Sequence, residues 1–190
     1  MSNASSITYT KIGAILYEIG MVTEETVRGV LEDAAGYADE EMEDQYAAAS
    51  ALEHFGVAVS VHADDIDSIH DDYASLLEDA VEVAGGRVAI TDVRLVEGEG
   101  SLEGGRLDHL EFERDGKPVS ITADHYAEDY YDHEAACEAI TVTAHDDDPR
   151  SWLYLDFERL PSRGYDSIMV LATPEQAQAL HDRLGFTFPE

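Results

Sequence analysis

The chain has 190 residues, 44% of them hydrophobic, so it is long enough and apolar enough to bury a core of its own. Its 42 acidic and 11 basic residues give a formal net charge of −31 at pH 7, which argues against nucleic acid or an anionic membrane as a partner. A single cysteine rules out an internal disulfide and indicates a reducing, cytoplasmic compartment. The sequence shows neither an apolar run that could span a bilayer nor a secretory signal pattern.

The first 86 residues show the periodicity of amphipathic helices. Three acidic helical regions are predicted, at residues 11–34 (with Gly20 as a break), 39–55 and 64–84. Thr23 is predicted to cap the second part of the first region, and Asp64 or Asp65 to cap the third. Between the second and third regions, residues 57–61 are either a short strand or a buried connection.

The periodicity changes after Gly85-Gly86, which is the one predicted boundary, or seam, between two regions of the chain. Strands are predicted at 88–96, 107–114, 119–122, 152–160 and 167–172, and helices at 132–144 and from Pro174 onwards. Asp115-Gly116 is a hairpin turn signal, and Thr173, Pro174 and Gln176 form a helix-start pattern. The sequence therefore predicts an α+β fold: three N-terminal helices followed by a mainly antiparallel sheet of about five strands with two helices. Residues 1–86 would be an acidic helical region, and residues 87–190 an α+β region packed against it as one compact unit.

The acidic residues are concentrated in segments that lack any basic residue. Residues 29–86 contain sixteen Asp and Glu and no Lys or Arg, and residues 118–149 contain nine and again no Lys or Arg. A net charge of −31 is far beyond the magnitude of about 2–8 that keeps a small domain soluble. Such single-signed surfaces attract basic proteins and accelerate their association. Adaptation to high salt is the alternative explanation.

The segment DHYAEDYYDHEAACEA, at 124–139, combines histidines, carboxylates and the one cysteine. His125, His133 and Cys137 lack the paired spacing of a zinc site, so no metal ion and no cofactor are predicted. Cys137 lies among alanines and acidic residues, which favours a buried thiol over a nucleophile. No catalytic motif is present elsewhere in the chain, and we predict no catalytic residue.

The same segment has the composition of a protein-binding surface. Tyrosines supply contact area at interfaces, and carboxylates pair with a partner's Arg and Lys. The predicted partner-binding residues are Asp124, Tyr126, Glu128, Asp129, Tyr130, Tyr131, Asp132 and Glu134. One or two of these tyrosines could instead cover the core. The acidic faces of the 39–55 and 64–84 helices are rival docking surfaces.

The second half resembles the acidic immunity proteins of bacterial polymorphic toxin systems. The resemblance lies in the hairpin LEFERDGKPVSI, the acidic segment DYYD, the strand SWLYLDFERL and the terminal helix TPEQAQAL. It implies an inhibitor, or antitoxin, that binds a basic cognate toxin domain, often a nuclease, in the producing cell. The alternative function is a salt-adapted enzyme or ligand-binding protein whose acidity is a general property of its surface.

Overall fold

A computed structural model describes residues 6–63, 66, 68–157 and 166–189. The helices are α1 (Tyr9–Glu18), α2 (Glu24–Asp33), α3 (Gln45–His54), α4 (Ile69–Val83), α5 (His133–Thr141) and α6 (Pro174–Leu184). The strands are β1 (Ala58–His62), β2 (Ile90–Val96), β3 (Arg106–Arg114), β4 (Lys117–His125), β5 (Ser151–Tyr154) and β6 (Asp166–Ala172). No helix among the described residues is long and apolar enough to cross a bilayer.

Each of these helices begins after a side chain that accepts a hydrogen bond from a backbone N–H of the first turn. The capping residues are Thr8, Thr23, Asp44, Ser68, Asp132 and Thr173. At α6 the cap is reciprocal, because the Gln176 side chain also accepts from the Thr173 N–H. These short polar side chains satisfy N–H groups that have no partner within the helix, and so they set where each helix starts.

The central sheet has the strand order β1-β6-β5, with both pairs antiparallel. Its middle strand, β6, is buried along its whole length because it contributes to two cores. Ile168, Val170 and Ala172 pack into one core with α1, α3 and α6. Met169 and Leu171 point to the opposite face and pack into the second core.

The second sheet has the strand order β2-β3-β4 and is also antiparallel. Its inner face carries Leu95, Leu110, Phe112, Ile121 and Ala123, which belong to the second core. Helices α4 and α5 contribute to that core too, so they lie between the two sheets. Successive layers are therefore a helical layer, the central sheet, the α4 and α5 layer, and the second sheet, whose outer face is covered by none of the helices or strands described above.

The α+β class and the antiparallel strands are confirmed, but the prediction of one sheet of about five strands is wrong. Six strands form two sheets among the described residues, because residues 58–62 are a strand that pairs with β6 rather than a connection. The described part of the first half holds four helices instead of three, since Gly20 adopts a positive φ and separates α1 from α2. Helix α4 begins at Ile69 with Ser68 as its cap, and not at the predicted caps Asp64 or Asp65, which lie outside the described residues. Strand β5 ends at Tyr154, earlier than the predicted 152–160 strand, of which residues 158–160 lie outside the described residues.

The predicted seam at Gly85-Gly86 follows the end of α4, where both glycines have positive φ. Strand β1 precedes this point and β6 follows it, and the two are paired over five positions from Ala58–Val170 to His62–Asp166. Segments from both sides of the seam therefore share one sheet and both cores.

Candidate functional site

The predicted interface begins at the open end of the β3–β4 hairpin. The two strands are in continuous register from Arg114–Lys117, beside the Asp115-Gly116 turn, to Arg106–His125. Asp115 and Gly116 both have positive φ, as a tight two-residue hairpin turn requires. The register places His125 beside Arg106. The segment that holds the predicted partner-binding residues leaves the sheet immediately after His125.

A buried ion-pair cluster closes this end of the hairpin on its inner face. Asp108 is 0% exposed, and its carboxylate accepts from Arg106 Nε (2.7 Å) and Arg106 Nη2 (3.1 Å). The same carboxylate accepts from the Gly98 N–H (2.9 Å) and lies 2.7 Å from His125 Nδ1. Burial alone would raise the pKa of Asp108, but the hydrogen bonds from Arg106, Gly98 and His125 hold it below its ordinary value. The cluster therefore ties β3, β4 and the residues after β2 together.

Three of the predicted partner-binding residues make contacts within the protein. Tyr131 is buried, and its ring packs against Tyr73 with 4.8 Å between ring centroids. Burial raises the pKa of the Tyr131 phenol. Asp132 is the N-cap of α5, and its second carboxylate oxygen accepts from the Asp124 N–H at 2.9 Å. Tyr130 is partly buried and packs against the second core.

The other five predicted residues present their side chains to solvent: Asp124, Tyr126, Glu128, Asp129 and Glu134. Tyr126 is 55% exposed, and its ring centroid lies 6.4 Å from that of Tyr130. The Tyr126 ring also lies against Gly105, where a Cβ would come within 2.6 Å of a ring carbon. The structure thus gathers an exposed tyrosine and several carboxylates just beyond the hairpin.

The backbone of this segment is anchored to the connection between β1 and α4. The Ile66 N–H donates to the Asp129 carbonyl at 3.2 Å, and the Tyr131 N–H donates to the Ala63 carbonyl at 3.0 Å. Together with the Asp132 contact to Asp124, these bonds hold the exposed side chains in a defined arrangement. Preorganised side chains lose less entropy when a partner binds.

The sequence reasoning missed Arg106 and Asp108, although their positions carry a readable signal. Side chains two residues apart share one face of a strand, so Arg106 and Asp108 lie on the same face as Leu110 and Phe112. The burial of Asp108, Leu110 and Phe112 assigns that face to the core, and Leu107 therefore points outward. A charge at a core-facing position of a strand indicates a buried ion pair.

The Asp108–His125 contact has the geometry with which a carboxylate orients a catalytic imidazole, but the described residues do not complete a catalytic site around it. His125 is 5% exposed, and its Nε2 atom is buried without a hydrogen-bond partner among the described residues, so a substrate has no access to it. Cys137 is buried in α5. Within the described residues no group of His, Cys, Asp and Glu is arranged to hold a metal ion.

No family model, no curated protein and no solved structure matches the chain. The function is therefore inferred from the geometry and charge of the surface itself.

Proposed function

We propose that the protein is an acidic inhibitor that binds and neutralises a basic protein, most specifically as the immunity protein of a cognate toxin. The observation that carries this proposal is the anchored surface beyond the β3–β4 hairpin, where the 55%-exposed Tyr126 lies among the exposed Asp124, Glu128 and Asp129. An aromatic anchor with surrounding carboxylates is the complement of an Arg- and Lys-rich surface.

Inhibition would occur by occlusion. A nuclease or another basic toxin grips its substrate with cationic side chains, and the carboxylates here would take the place of the substrate's phosphates. The net charge of −31 adds long-range attraction, which raises the association rate and makes it sensitive to salt. Tyr126 would then fix the position of the partner at short range.

The salt-adapted alternative is favoured by one observation, which is that the acidity extends well beyond this surface. Exposed carboxylates such as Glu40, Glu43 and Glu78 belong to the helical half of the chain. Unfolding measured at low and at molar salt separates the two functions. An inhibitor keeps its full stability at low salt, whereas a salt-adapted protein unfolds there because its charges repel one another without screening.

The binding surface is tested by charge reversal against basic proteins encoded in the reading frames that flank the gene. Glu128→Lys with Asp129→Lys should weaken binding at least tenfold, about 1.4 kcal/mol. Asp132 is left unchanged because it caps α5. Glu40→Lys with Glu43→Lys is the matched control, since it changes the net charge equally at exposed positions between α2 and α3.

Equal weakening by both double variants would show that only the total charge matters, and the assignment of the surface would be wrong. An effect confined to the Glu40 and Glu43 variant would move the interface to the helical half. If the wild-type protein binds none of the flanking basic proteins, the immunity proposal is rejected.

A further inference from the structure

An apolar strip lies on the outer face of the second sheet, beside the proposed binding surface. Val96, Leu107 and Tyr126 form it, with 37%, 54% and 55% of their surfaces exposed. These are three of the five large hydrophobic residues that are exposed in the described part of the chain. Leu107 exposes almost the same fraction of its surface as Tyr126, although it lies within a strand, where an outward-facing residue is ordinarily polar.

The register shows that the strip is continuous. Val96 pairs with His109, whose side chain shares the outer face of β3 with Leu107, two residues away. Leu107 pairs with Asp124 on β4, and Tyr126 follows Asp124 by two residues. The contact of the Tyr126 ring with Gly105 brings that ring back over β3. Val96 and Leu107 are therefore diagonal neighbours, as are Leu107 and Tyr126, and diagonal positions on one face of an antiparallel pair are about 7–8 Å apart, within reach of long and aromatic side chains.

The charge around the strip is uneven. On the same face, Arg94 is paired with Glu111 at 2.7 Å, so this cation is neutralised within the sheet. At the Leu107 end, the carboxylates of Asp124, Glu128 and Asp129 are exposed to solvent. The neighbouring cation on β3, Arg106, is paired with the buried Asp108 and with Glu97, the residue after Val96, so it does not offset the carboxylates at this end. The strip is therefore bordered by negative charge on the side of the proposed binding surface.

We propose that the apolar strip is the anchoring part of this interface and receives an aromatic or long aliphatic side chain that projects from the basic surface of the partner protein. This inference rests on the proposed function and specifies the chemistry of its partner. A central apolar contact with a charged rim is the usual anatomy of a specific interface. A second copy of the chain does not fit, because two acidic rims would repel each other, and the same charge repels nucleic acid.

The test uses two arginine-rich peptides of equal length and charge, one with a central tryptophan and one with serine in its place. Their affinities are measured by calorimetry at about 0.15 M salt, where the Debye length is about 8 Å. Wild-type protein should bind the tryptophan peptide about fivefold more tightly, since the exposed half of Leu107 and the Tyr126 ring become buried. Leu107→Ser should abolish this preference, so that the two peptides bind the variant with equal affinity.

Tyr17→Ser is the matched control, because Tyr17 is 52% exposed on α1, away from the strip, and its replacement should preserve the preference. Val96→Thr keeps the β-branched shape of the strand residue and provides a second variant, which should reduce the preference. Amide NMR shifts caused by the tryptophan peptide should concentrate at residues 105–108 and at Tyr126.

A preference that survives in both Leu107→Ser and Val96→Thr, or shifts centred elsewhere, would overturn the inference about the strip. Light scattering that shows a wild-type dimer abolished by Leu107→Ser would assign the strip to a second copy instead. The proposed function fails separately, when the wild-type protein binds none of the flanking basic proteins. The position of its acidic surface fails when the serine peptide binds the Glu128→Lys with Asp129→Lys variant no more weakly than the Glu40→Lys with Glu43→Lys control.

Discussion

Replacing Asp108 with asparagine tests whether the buried cluster holds the end of the hairpin together. The wild-type carboxylate is fully buried and has four polar contacts of 2.7 to 3.1 Å. Asparagine keeps the shape of the side chain but removes its charge. Its NH₂ group is a donor, so it cannot accept a hydrogen bond from the N–H groups of Arg106 as the carboxylate oxygen does. Removing one partner of a buried ion pair costs about 3 kcal/mol, because the Arg106 charge keeps only its 3.2 Å pair with the exposed Glu97 and loses the buried carboxylate.

For a chain of this length, a loss of about 3 kcal/mol corresponds to a fall in the melting midpoint of roughly 6–12 °C. Thermal unfolding followed by circular dichroism measures it. Asp146→Asn is the matched control: Arg114 and Asp146 are 2.6 Å apart, but the Asp146 side chain is 81% exposed, so its loss should shift the midpoint far less. Equal shifts of the midpoint in the two variants, or no shift in Asp108→Asn, would show that the burial of Asp108 does not determine the loss of stability.

Two further predictions concern ionisation. Because the pKa of Asp108 is lower in the folded protein than its ordinary value of 3.8, its stabilising contribution is complete above pH 3.8 and is lost as the pH falls through the folded value. The difference in stability between wild type and Asp108→Asn should therefore persist at neutral pH and shrink below pH 3.8. A difference that stays constant down to acidic pH would contradict this linkage. Burial raises the pKa of Tyr73 and Tyr131, so these two of the ten tyrosines should stay protonated until alkaline unfolding, as followed by absorbance at the tyrosinate band. Ionisation of all ten before unfolding would contradict this assignment.

Local signals in the sequence predicted local structure well. The Thr173, Pro174 and Gln176 pattern gives the capping box of α6, Thr23 caps α2, and Asp115-Gly116 forms the hairpin turn. In each case a few adjacent residues determine the backbone geometry, so no distant contact is needed to recognise them.

Features that depend on distant contacts could not be predicted in the same way. Residues 58–62 form a strand because β6 lies beside them, and the partners are more than a hundred residues apart, as His62 and Asp166 show. Likewise, nothing local distinguishes Tyr131, which packs against Tyr73 of α4, from the exposed Tyr126. The acidic and aromatic composition predicted a surface, but the tertiary contacts decide which of its residues face solvent.

Strand β6 has a consequence for how the protein is made. It supplies alternate side chains to both cores, and it is the sixth of six strands in chain order among the described residues. During synthesis, α1, α3, α4 and the β3–β4 hairpin leave the ribosome before the strand that completes either core. Their apolar faces stay incompletely buried until residues 166–172 have been synthesised, because contacts between distant segments form late and slowly. We therefore expect nascent chains that stop before Asp166 to expose unfinished apolar surface and to be preferred clients of chaperones.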